Sequence, residues 1–301
     1  MNRIFLDLVP IIIIFIAGAV LKRLNIFKKE DGDILLKVIF YFTLPSLIIF
    51  SITKVKLSGE MIFLPITAIW IVLITFFVSF FISKKLNLEN KSLGTFLVGS
   101  MIMEISFTLP FIITAYGQEG LARIVLFDIG NTIMTFSFVY FIACKYGKNN
   151  NSKILLKKIF LSPPLLASLF AIVLNITNVQ LPLLVDNTAT IIGNLTIPLM
   201  MFSLGIYFNP NLSKILPTSL AVFVRMFIGL ISGLILIKIF NLEDLNKIIV
   251  IVASAAPICY NTLTFSSLEE LDKEFAANLI SFSILIGFIL IPLLMFLLKI
   301  I

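Results

Sequence analysis

The chain has 301 residues, of which 59% are hydrophobic and only 13% are charged, with a formal net charge of +7. A water-soluble domain would carry roughly twice that charged fraction, and a mean hydropathy of +1.12 leaves more apolar surface than a soluble fold can bury. Histidine is absent and the two cysteines are far apart in sequence, which excludes a disulfide framework, a Ser-His-Asp site and most zinc or haem sites. The composition predicts an all-α membrane protein.

The first apolar segment has two interpretations. Arg3, an apolar run and the Ala-Gly-Ala sequence at 17–19 are typical of a cleaved signal peptide. Lys22 and Arg23 follow immediately, however, and Pro10 interrupts the run. We therefore predict that this segment is a retained transmembrane helix.

Ten apolar runs of about 20 residues, the length that spans a bilayer, lie between charged or turn-rich breaks. They lie near 4–24, 32–53, 60–82, 92–116, 121–144, 159–177, 187–207, 215–240, 246–268 and 274–299. The polar stretch KYGKNNNSK separates two groups of five helices. Because five is odd, a duplicated second half enters the membrane in the opposite orientation. The sequence predicts two inverted five-helix repeats, 1–146 and 159–301, joined by a cytoplasmic linker at 147–158.

The basic residues orient these spans and do not indicate a nucleic-acid partner, since they lie mostly between apolar segments. With the N-terminus outside, seven lie in outer loops or ends and fourteen lie in inner loops. The fourteen inner residues are Lys22, Arg23, Lys28, Lys29, Lys84, Lys85, Lys91, Lys145, Lys148, Lys153, Lys157, Lys158, Lys214 and Lys273. The bias predicts a multi-pass protein of the cell membrane with both termini on the non-cytoplasmic side.

Prolines at matching ranks support the duplication. Pro45 in the second span is echoed by Pro198 in the seventh, and Pro110 in the fourth span is echoed by Pro257 in the ninth. Proline lacks an N–H and clashes with the carbonyl one turn back, so it frees backbone acceptors inside the membrane. Such acceptors need a partner in lipid, and paired broken helices in inverted repeats indicate a substrate site. We predict that Pro110 and Pro257 break the fourth and ninth helices.

Polar side chains cluster around the two predicted breaks. If Pro110 and Pro257 are aligned, Glu104 falls opposite Ile251. A carboxylate near the membrane centre costs roughly 2.5–3.5 kcal/mol, so an acidic residue here needs a structural or functional reason. The cluster consists of Glu104, Ser106 and Thr108 before the first proline, Tyr260, Asn261, Thr262 and Thr264 after the second, and Asp128 and Asn131 in the fifth helix.

Each of these residues also has a structural interpretation. Glu104 could serve as a protonated hydrogen-bond donor, and Asp128 could pair with Arg123 near the outer interface. Asn261 and the threonines could hold helices together, as small polar groups do in membranes. Arg225, in the middle of the eighth span, could extend to the interface or pair with one of the acids.

The order of several short motifs resembles the auxin efflux carrier family, over nearly the whole chain. The motifs are GAVLKRLNIFKKEDGDILLKVIFYFTLPSLIIFSI at 18–52, FTLPFIITAYGQEGLARIVLFDIGNT at 107–132, VRMFIGL at 224–230 and SAAPICYNTLTFSSLEELDKEFAANLISFSILIGFILIPLL at 254–294. The resemblance implies a ten-helix fold shared with the bile-acid/sodium symporters, in which broken helices 4 and 9 cross. It also implies a scaffold of helices 1, 2, 6 and 7, a homodimer through helices 2 and 7, and a moving transport domain.

The family binds small organic anions near this crossover. Carried over to matching positions, Pro110 and Pro257 are the crossover prolines, and Asn261 with its neighbours contacts the substrate. The sequence departs from the family pattern at Glu104, which stands where many members carry an asparagine. A negative group beside an anion would repel it unless it is protonated, paired or bound to an ion. This departure leaves proton coupling, a bound cation and a different substrate open.

The leading hypothesis is a secondary active transporter that moves a small organic anion, in particular a carboxylate, by elevator-like alternating access. In this hypothesis Thr108, Asn131, Tyr260, Asn261 and Thr262 contact the substrate. The supporting or coupling residues are Glu104, Asp128 and Arg225, and Asn131 joins Asp128 in supporting the broken helix. No cofactor or metal is expected beyond a coupling proton or sodium ion.

A sodium-coupled symporter of the bile-acid class is the alternative, although the Cys-Pro-Gly-Gly-like pattern expected for it is missing. A structural or sensory membrane protein is also consistent with the sequence. An enzyme is not expected, because Asp128 has no second aspartate suited to a protease dyad. The chain has no nucleotide-binding loop for ATP-driven transport.

Overall fold

The computed structural model describes residues 3–54, 58–147, 163–208 and 214–300. Within these residues the chain is helical, and the only β-type pairing is one isolated bridge between Met103 and Ile258. The prediction of an all-α protein is therefore confirmed. Residues 148–158 of the predicted linker, with four of its lysines, lie outside the described residues.

The described chain forms fifteen α-helices. Three short π-helical segments, Ile39–Thr43, Thr135–Val139 and Phe223–Ile228, continue them. The α-helices are α1 Arg3–Arg23, α2 Lys29–Val38, α3 Leu44–Ile52, α4 Phe63–Ser83, α5 Asn90–Met101, α6 Ile105–Met134, α7 Tyr140–Tyr146, α8 Pro163–Ile176, α9 Leu183–Asn194, α10 Thr196–Tyr207, α11 Ile215–Val222, α12 Gly229–Ile239, α13 Asp244–Ser254, α14 Asn261–Leu268 and α15 Lys273–Ile300.

Six helical stretches of the described chain are long and apolar enough to cross a membrane. They are Glu30–Ile52, Gly59–Ser83, Ile105–Tyr146, Leu183–Tyr207, Ile215–Ile239 and Lys273–Leu298. This confirms the prediction of a multi-pass membrane protein, whereas the count of ten spans stays a prediction.

The boundary between the predicted fourth and fifth spans falls at Gly117. Its φ of 57° and ψ of −144° interrupt the helical backbone inside α6. Only glycine adopts this conformation without strain, since it has no Cβ. The sequence predicted a loop between residues 116 and 121. In the structure the change of direction there occurs at Gly117 alone.

The chain divides into two compact units. The first consists of Met1–Met61, Leu109–Leu126 and Phe160–Phe208. Within it α1 and α10 pack backbone to backbone. A Cβ on Gly18 would collide with the carbonyl of Phe202, and one on Gly205 would collide with the carbonyl of Phe15. Small residues allow such close approach of helices in membranes, where contact area stabilises packing.

The second unit consists of Ile62–Thr108, Phe127–Ile159 and Asn209–Ile301, and it holds both broken segments. One end of this unit is fixed by a polar cluster around Asp272. Lys214 donates to the Asp272 carboxylate at 2.5 Å and Ser92 donates to it at 2.7 Å. The Phe275 amide donates to its second oxygen at 3.0 Å. Partial burial raises the pKa of Asp272, but these hydrogen bonds outweigh it and hold the pKa below its ordinary value.

We expect Asp272→Asn to destabilise the protein at neutral pH and to have little effect in acid. The folded-state pKa lies below the ordinary value of 3.8, so the carboxylate contributes stability above that value. That stability is lost as the pH falls through the folded-state pKa. The measurement is the unfolding temperature of both proteins in detergent between about pH 3 and pH 8. A difference in unfolding temperature that is the same at every pH would contradict this prediction. Glu60→Gln, at an exposed residue, is the control.

Candidate functional site

Two non-helical stretches lie side by side within the second unit. Met103, between α5 and α6, forms an antiparallel bridge with Ile258, between α13 and α14. On one side the Glu104 amide donates to the carbonyl of Pro257 at 2.9 Å. On the other side the Cys259 amide donates to the carbonyl of the residue before Met103 at 3.3 Å. The amides and carbonyls that lose helical hydrogen bonds at one break therefore form hydrogen bonds with those at the other break.

The first break does not lie where the proline predicted it. Pro110 lies inside α6, whereas the backbone leaves the helix at Ile102 and re-enters it at Ile105. The prediction that Pro110 breaks the fourth helix is therefore wrong. A proline inside a helix removes one hydrogen bond, which a membrane helix tolerates. Pro257 does lie in the second break, between α13 and α14.

Glu104 is the N-cap residue of α6, the half-helix that follows the first break. Its side chain is 6% exposed, and its Oε2 accepts a hydrogen bond from the Tyr260 amide at 2.8 Å. Tyr260 is the N-cap of α14, where free amides and the positive end of the helix dipole favour a negative group. The protein's own carboxylate thus occupies a position that could otherwise receive an anion.

Asn131 supports the first break from α6. Its side-chain amide donates to the Met103 carbonyl at 3.1 Å, and its Oδ1 accepts from the Met103 amide at 3.4 Å. The same amide donates to Asp128 at 2.9 Å. The alternative in which Asp128 pairs with Arg123 is not observed among the described residues, where Arg123 pairs with Glu119. Asn131, predicted both as a substrate contact and as a support of the broken helix, therefore holds the broken backbone, and Asp128 orients it.

Arg225 lies completely buried in the π-helical segment Phe223–Ile228. Its guanidinium donates to the carbonyl of Met101 at 3.0 Å and to that of Ser254 at 2.8 Å. These are the last residues of α5 and α13, where helix carbonyls lack donors and the dipole is negative. Two of the sequence interpretations of Arg225 are not observed: its side chain is buried and reaches no interface, and no ion pair of the described residues includes it. It joins the two half-helix C-termini.

Gly229 leaves the space that Arg225 fills. A Cβ on Gly229 would lie too close to both the guanidinium and the Ser254 carbonyl. We expect Gly229→Ala to destabilise the protein by about 1–3 kcal/mol, the usual effect of overpacking. Gly59→Ala is the matched control, since its added Cβ would meet no other atom of the described residues within 4 Å, its chain neighbours aside. Equal unfolding temperatures for the two variants in detergent would refute the packing described here.

Ser283 was not predicted from the sequence. From α15 its Oγ accepts from the Ile258 amide at 3.0 Å and donates to the Ile280 carbonyl at 2.8 Å. It thus supports the second break as Asn131 supports the first. The sequence did contain one signal for it. Ser283 is a hydroxyl residue in the apolar tenth span, which corresponds to the fifth span, where Asn131 lies.

The remaining predicted contacts differ in how free they are to bind a substrate. Thr108 is buried and donates to the Ile105 carbonyl of its own helix at 2.9 Å. Thr262 is fully buried, and its hydroxyl has no hydrogen-bond partner among the described residues. Tyr260 and Asn261 are half-buried. Together with Thr262 they form the first turn of α14, next to the Glu104 carboxylate.

A sequence model of the family described as "Membrane transport protein" matches residues 3–295. The chain belongs to this family, the auxin efflux carriers. It is 27% identical over 296 residues to an uncharacterized transporter of Methanocaldococcus jannaschii, covering 93% of this chain and 96% of that protein. It is 23% identical over 292 residues to an uncharacterized transporter of Methanothermobacter thermautotrophicus, covering 94% of each. The carrier is thus a membrane transporter and not an enzyme.

Proposed function

We propose that this carrier is a secondary active transporter that moves small organic carboxylates by alternating access, with its site at the paired breaks. The observation that carries the proposal is the bridge between Met103 and Ile258. In transporters with inverted repeats, the substrate and coupling-ion sites lie where two discontinuous helices meet near the bilayer centre. Glu104, Asn131 and Ser283 form hydrogen bonds with the backbone at that meeting point.

Pairs of equivalent interactions support two inverted five-helix repeats, 1–146 and 159–301. Each break lies in the fourth predicted span of its half. Asn131, in the fifth predicted span, binds the backbone of Met103, and Ser283, in the tenth, binds that of Ile258. Arg225 binds the last carbonyl of the half-helix before each break. Two related halves would produce these pairs, whereas unrelated halves would have no reason to match.

The first turn of α14 is the proposed carboxylate subsite. Helix N-termini favour anions, and Asn261 and Thr262 provide polar side chains there. Glu104 already places a carboxylate at this turn. A substrate carboxylate therefore binds well only when Glu104 is neutralised by a proton or a sodium ion. This arrangement supports coupling of the substrate to a cation, and sodium dependence of binding would indicate the bile-acid class of symporter.

The moving and fixed parts of the proposed elevator follow the two compact units. The unit that contains Met1–Met61 and Phe160–Phe208 includes the spans assigned to the scaffold by family resemblance. We place it as the fixed part and as the homodimer contact, through the second and seventh spans. The second unit, with both breaks, is the moving part. We place the carrier in the cell membrane with both termini on the non-cytoplasmic side, as the distribution of basic residues predicts.

The test is a thermal-shift screen of the purified carrier against mono- and dicarboxylates and their neutral amides, at several pH values and sodium concentrations. We expect at least one carboxylate to raise the unfolding temperature, more at low pH or with sodium, because a ligand that binds only the folded state stabilises it. Asn261→Ala should reduce that shift. An equal shift by the neutral amides, or none with any carboxylate, would refute the proposal.

A further inference from the structure

A cavity of about 770 Å³ lies within the first compact unit, which contains neither of the paired breaks. One side of the cavity is the end of α3, with Thr53 and Lys54. The other side consists of the end of α8, the loop 177–182 and Asp186 in the first turn of α9. Small-molecule sites have volumes of roughly 300–1,000 Å³, so a compound of the size of an amino acid fits here.

Hydrogen bonds fix the backbone around the cavity. The Asn175 side chain of α8 donates to the carbonyl of Ile52, the last residue of α3, at 2.6 Å. The chain then leaves α8 through Asn178, whose φ of 54° is the left-handed conformation that ends many helices. The Val179 amide donates back to the Leu174 carbonyl at 3.0 Å. A cavity formed by such a hydrogen-bonded turn needs little ordering when a ligand binds.

An ion pair lines this cavity. Lys54 Nζ lies 2.8 Å from Asp186 Oδ2, and the two side chains are 39% and 22% exposed. The Lys54 ammonium also lies 4.1 Å from the centre of the Phe50 ring. A partly exposed ion pair contributes little to stability, so a ligand that offers the same charges replaces it at small cost.

The two charges favour a zwitterion over a simple anion or cation. A ligand with only a carboxylate would bind Lys54 and leave Asp186 without its partner, whereas a ligand with both charges provides a new partner for each. The exposed amides of Asn178 and Gln180 also line the cavity and form no side-chain hydrogen bond with the rest of the described chain. Each amide offers both a donor and an acceptor. Leu181 adds an apolar wall.

We propose that this cavity is a second ligand site of the carrier and binds small zwitterions with an apolar side chain, the chemistry of an apolar α-amino acid. The ligand carboxylate pairs with Lys54 and its ammonium pairs with Asp186, while its side chain packs against Leu181. The site shares no residue with the first turn of α14. In the proposed elevator it belongs to the fixed unit, so the zwitterion is a bound effector and not the transported substrate; this last point rests on the proposed function.

Thermal unfolding of the purified full-length carrier with three probes that share one side chain tests the ligand class. The probes are leucine, isocaproate, which lacks the ammonium, and isoamylamine, which lacks the carboxylate. We expect leucine to raise the unfolding temperature, because it binds the folded state. In Asn261→Ala, where the proposed substrate site is impaired, the leucine shift should persist and the other two probes should bind about tenfold more weakly than leucine or worse, since each lacks one charge-assisted hydrogen bond.

Variants of the ion pair locate the binding. Lys54→Met and Asp186→Asn should each weaken leucine binding about tenfold or more, whereas Lys54→Arg should retain it. Both residues are partly exposed, so the unfolding temperatures without ligand should change little. Glu119→Gln breaks another partly exposed ion pair and should leave leucine binding unchanged.

Three results would overturn the proposal. They are no shift with leucine, a shift in Asn261→Ala that is as large with isocaproate as with leucine, and leucine binding of wild-type affinity in Lys54→Met and Asp186→Asn. A leucine shift that only Asn261→Ala removes would assign leucine to the substrate site and equally overturn it. The carboxylate screen depends on Asn261 and the leucine titration on Lys54 and Asp186, so failure of one proposal is distinguishable from failure of the other.

Discussion

Arg225→Met is expected to lower the free energy of unfolding by about 3 kcal/mol, because hydrogen bonds to a charged group contribute roughly 1.5–3 kcal/mol each and two are lost. The Met101 and Ser254 carbonyls would remain buried at the ends of α5 and α13 without a donor. Removing a buried charge also removes its desolvation penalty, and methionine fills most of the space. That gain offsets part of the loss, but the two orphaned carbonyls and the negative helix ends remain.

Two further variants separate this role from a loss of bulk or of charge alone. Arg225→Lys keeps the charge but cannot donate in a fork to two carbonyls, so its stability should lie between those of the wild type and Arg225→Met. Lys238→Ala, at an exposed residue near the end of α12, should change stability by about 0.5 kcal/mol or less. The measurement is chemical or thermal unfolding in detergent. Wild-type stability of Arg225→Met would show that the guanidinium does not hold the half-helices together.

Glu104→Gln is expected to uncouple carboxylate binding from protons or sodium. The glutamine amide oxygen can still accept from the Tyr260 amide, so the fold should be retained. At an effective dielectric constant of 20, two unit charges 4 Å apart repel by about 4 kcal/mol. Relief of even a third of this repulsion tightens carboxylate binding at neutral pH about tenfold. Binding should then be independent of pH and sodium, and gradient-driven accumulation should be lost while exchange persists.

Uptake and exchange in proteoliposomes, with the carboxylate that gives the largest thermal shift, would measure this effect. Glu60→Gln removes an exposed carboxylate far along the chain and should leave coupling unchanged. Glu104→Ala removes the hydrogen bond as well as the charge, so it should also lower the unfolding temperature. Accumulation by Glu104→Gln at the wild-type level would contradict a coupling role for Glu104.

The sequence predicted the helical segments well because long apolar runs in lipid have few alternatives to a helix. It also indicated which polar residues would meet, since an isolated carboxylate or amide in such a run needs partners. Glu104 and Asn131 do lie at the same break as the sequence suggested. The polar residues of the sequence thus indicated where the candidate site lies, but not which hydrogen bonds form there.

The position of the first break could not be predicted from local sequence. Residues 102–104 read Ile-Met-Glu, with no glycine or proline, and their extended backbone is held by partners about 150 residues away. Pro110 has the strongest local signal for a break, yet α6 continues through it. Helix α5 ends where hydrogen bonds to residues distant in sequence replace the helical ones. Local helix propensity does not predict the position of such bonds.

The roles of Arg225 and Ser283 were hidden for the same reason. An arginine in an apolar span indicates a buried partner, and the sequence offered acids as candidates. Its actual partners are two backbone carbonyls, which every residue has and which no sequence pattern marks. Ser283 binds a backbone amide and is equally unmarked.

The most direct test of carboxylate binding at the paired breaks is counterflow in proteoliposomes with a radiolabelled carboxylate selected by thermal shift. Counterflow needs binding and movement of the site but no ion gradient. We predict that the wild type and Lys238→Ala exchange the labelled carboxylate, whereas Asn261→Ala, at the first turn of α14, loses most of the exchange. Two results would contradict carboxylate binding at the paired breaks. One is exchange by Asn261→Ala at the wild-type rate and affinity, and the other is no exchange of any carboxylate by the wild type.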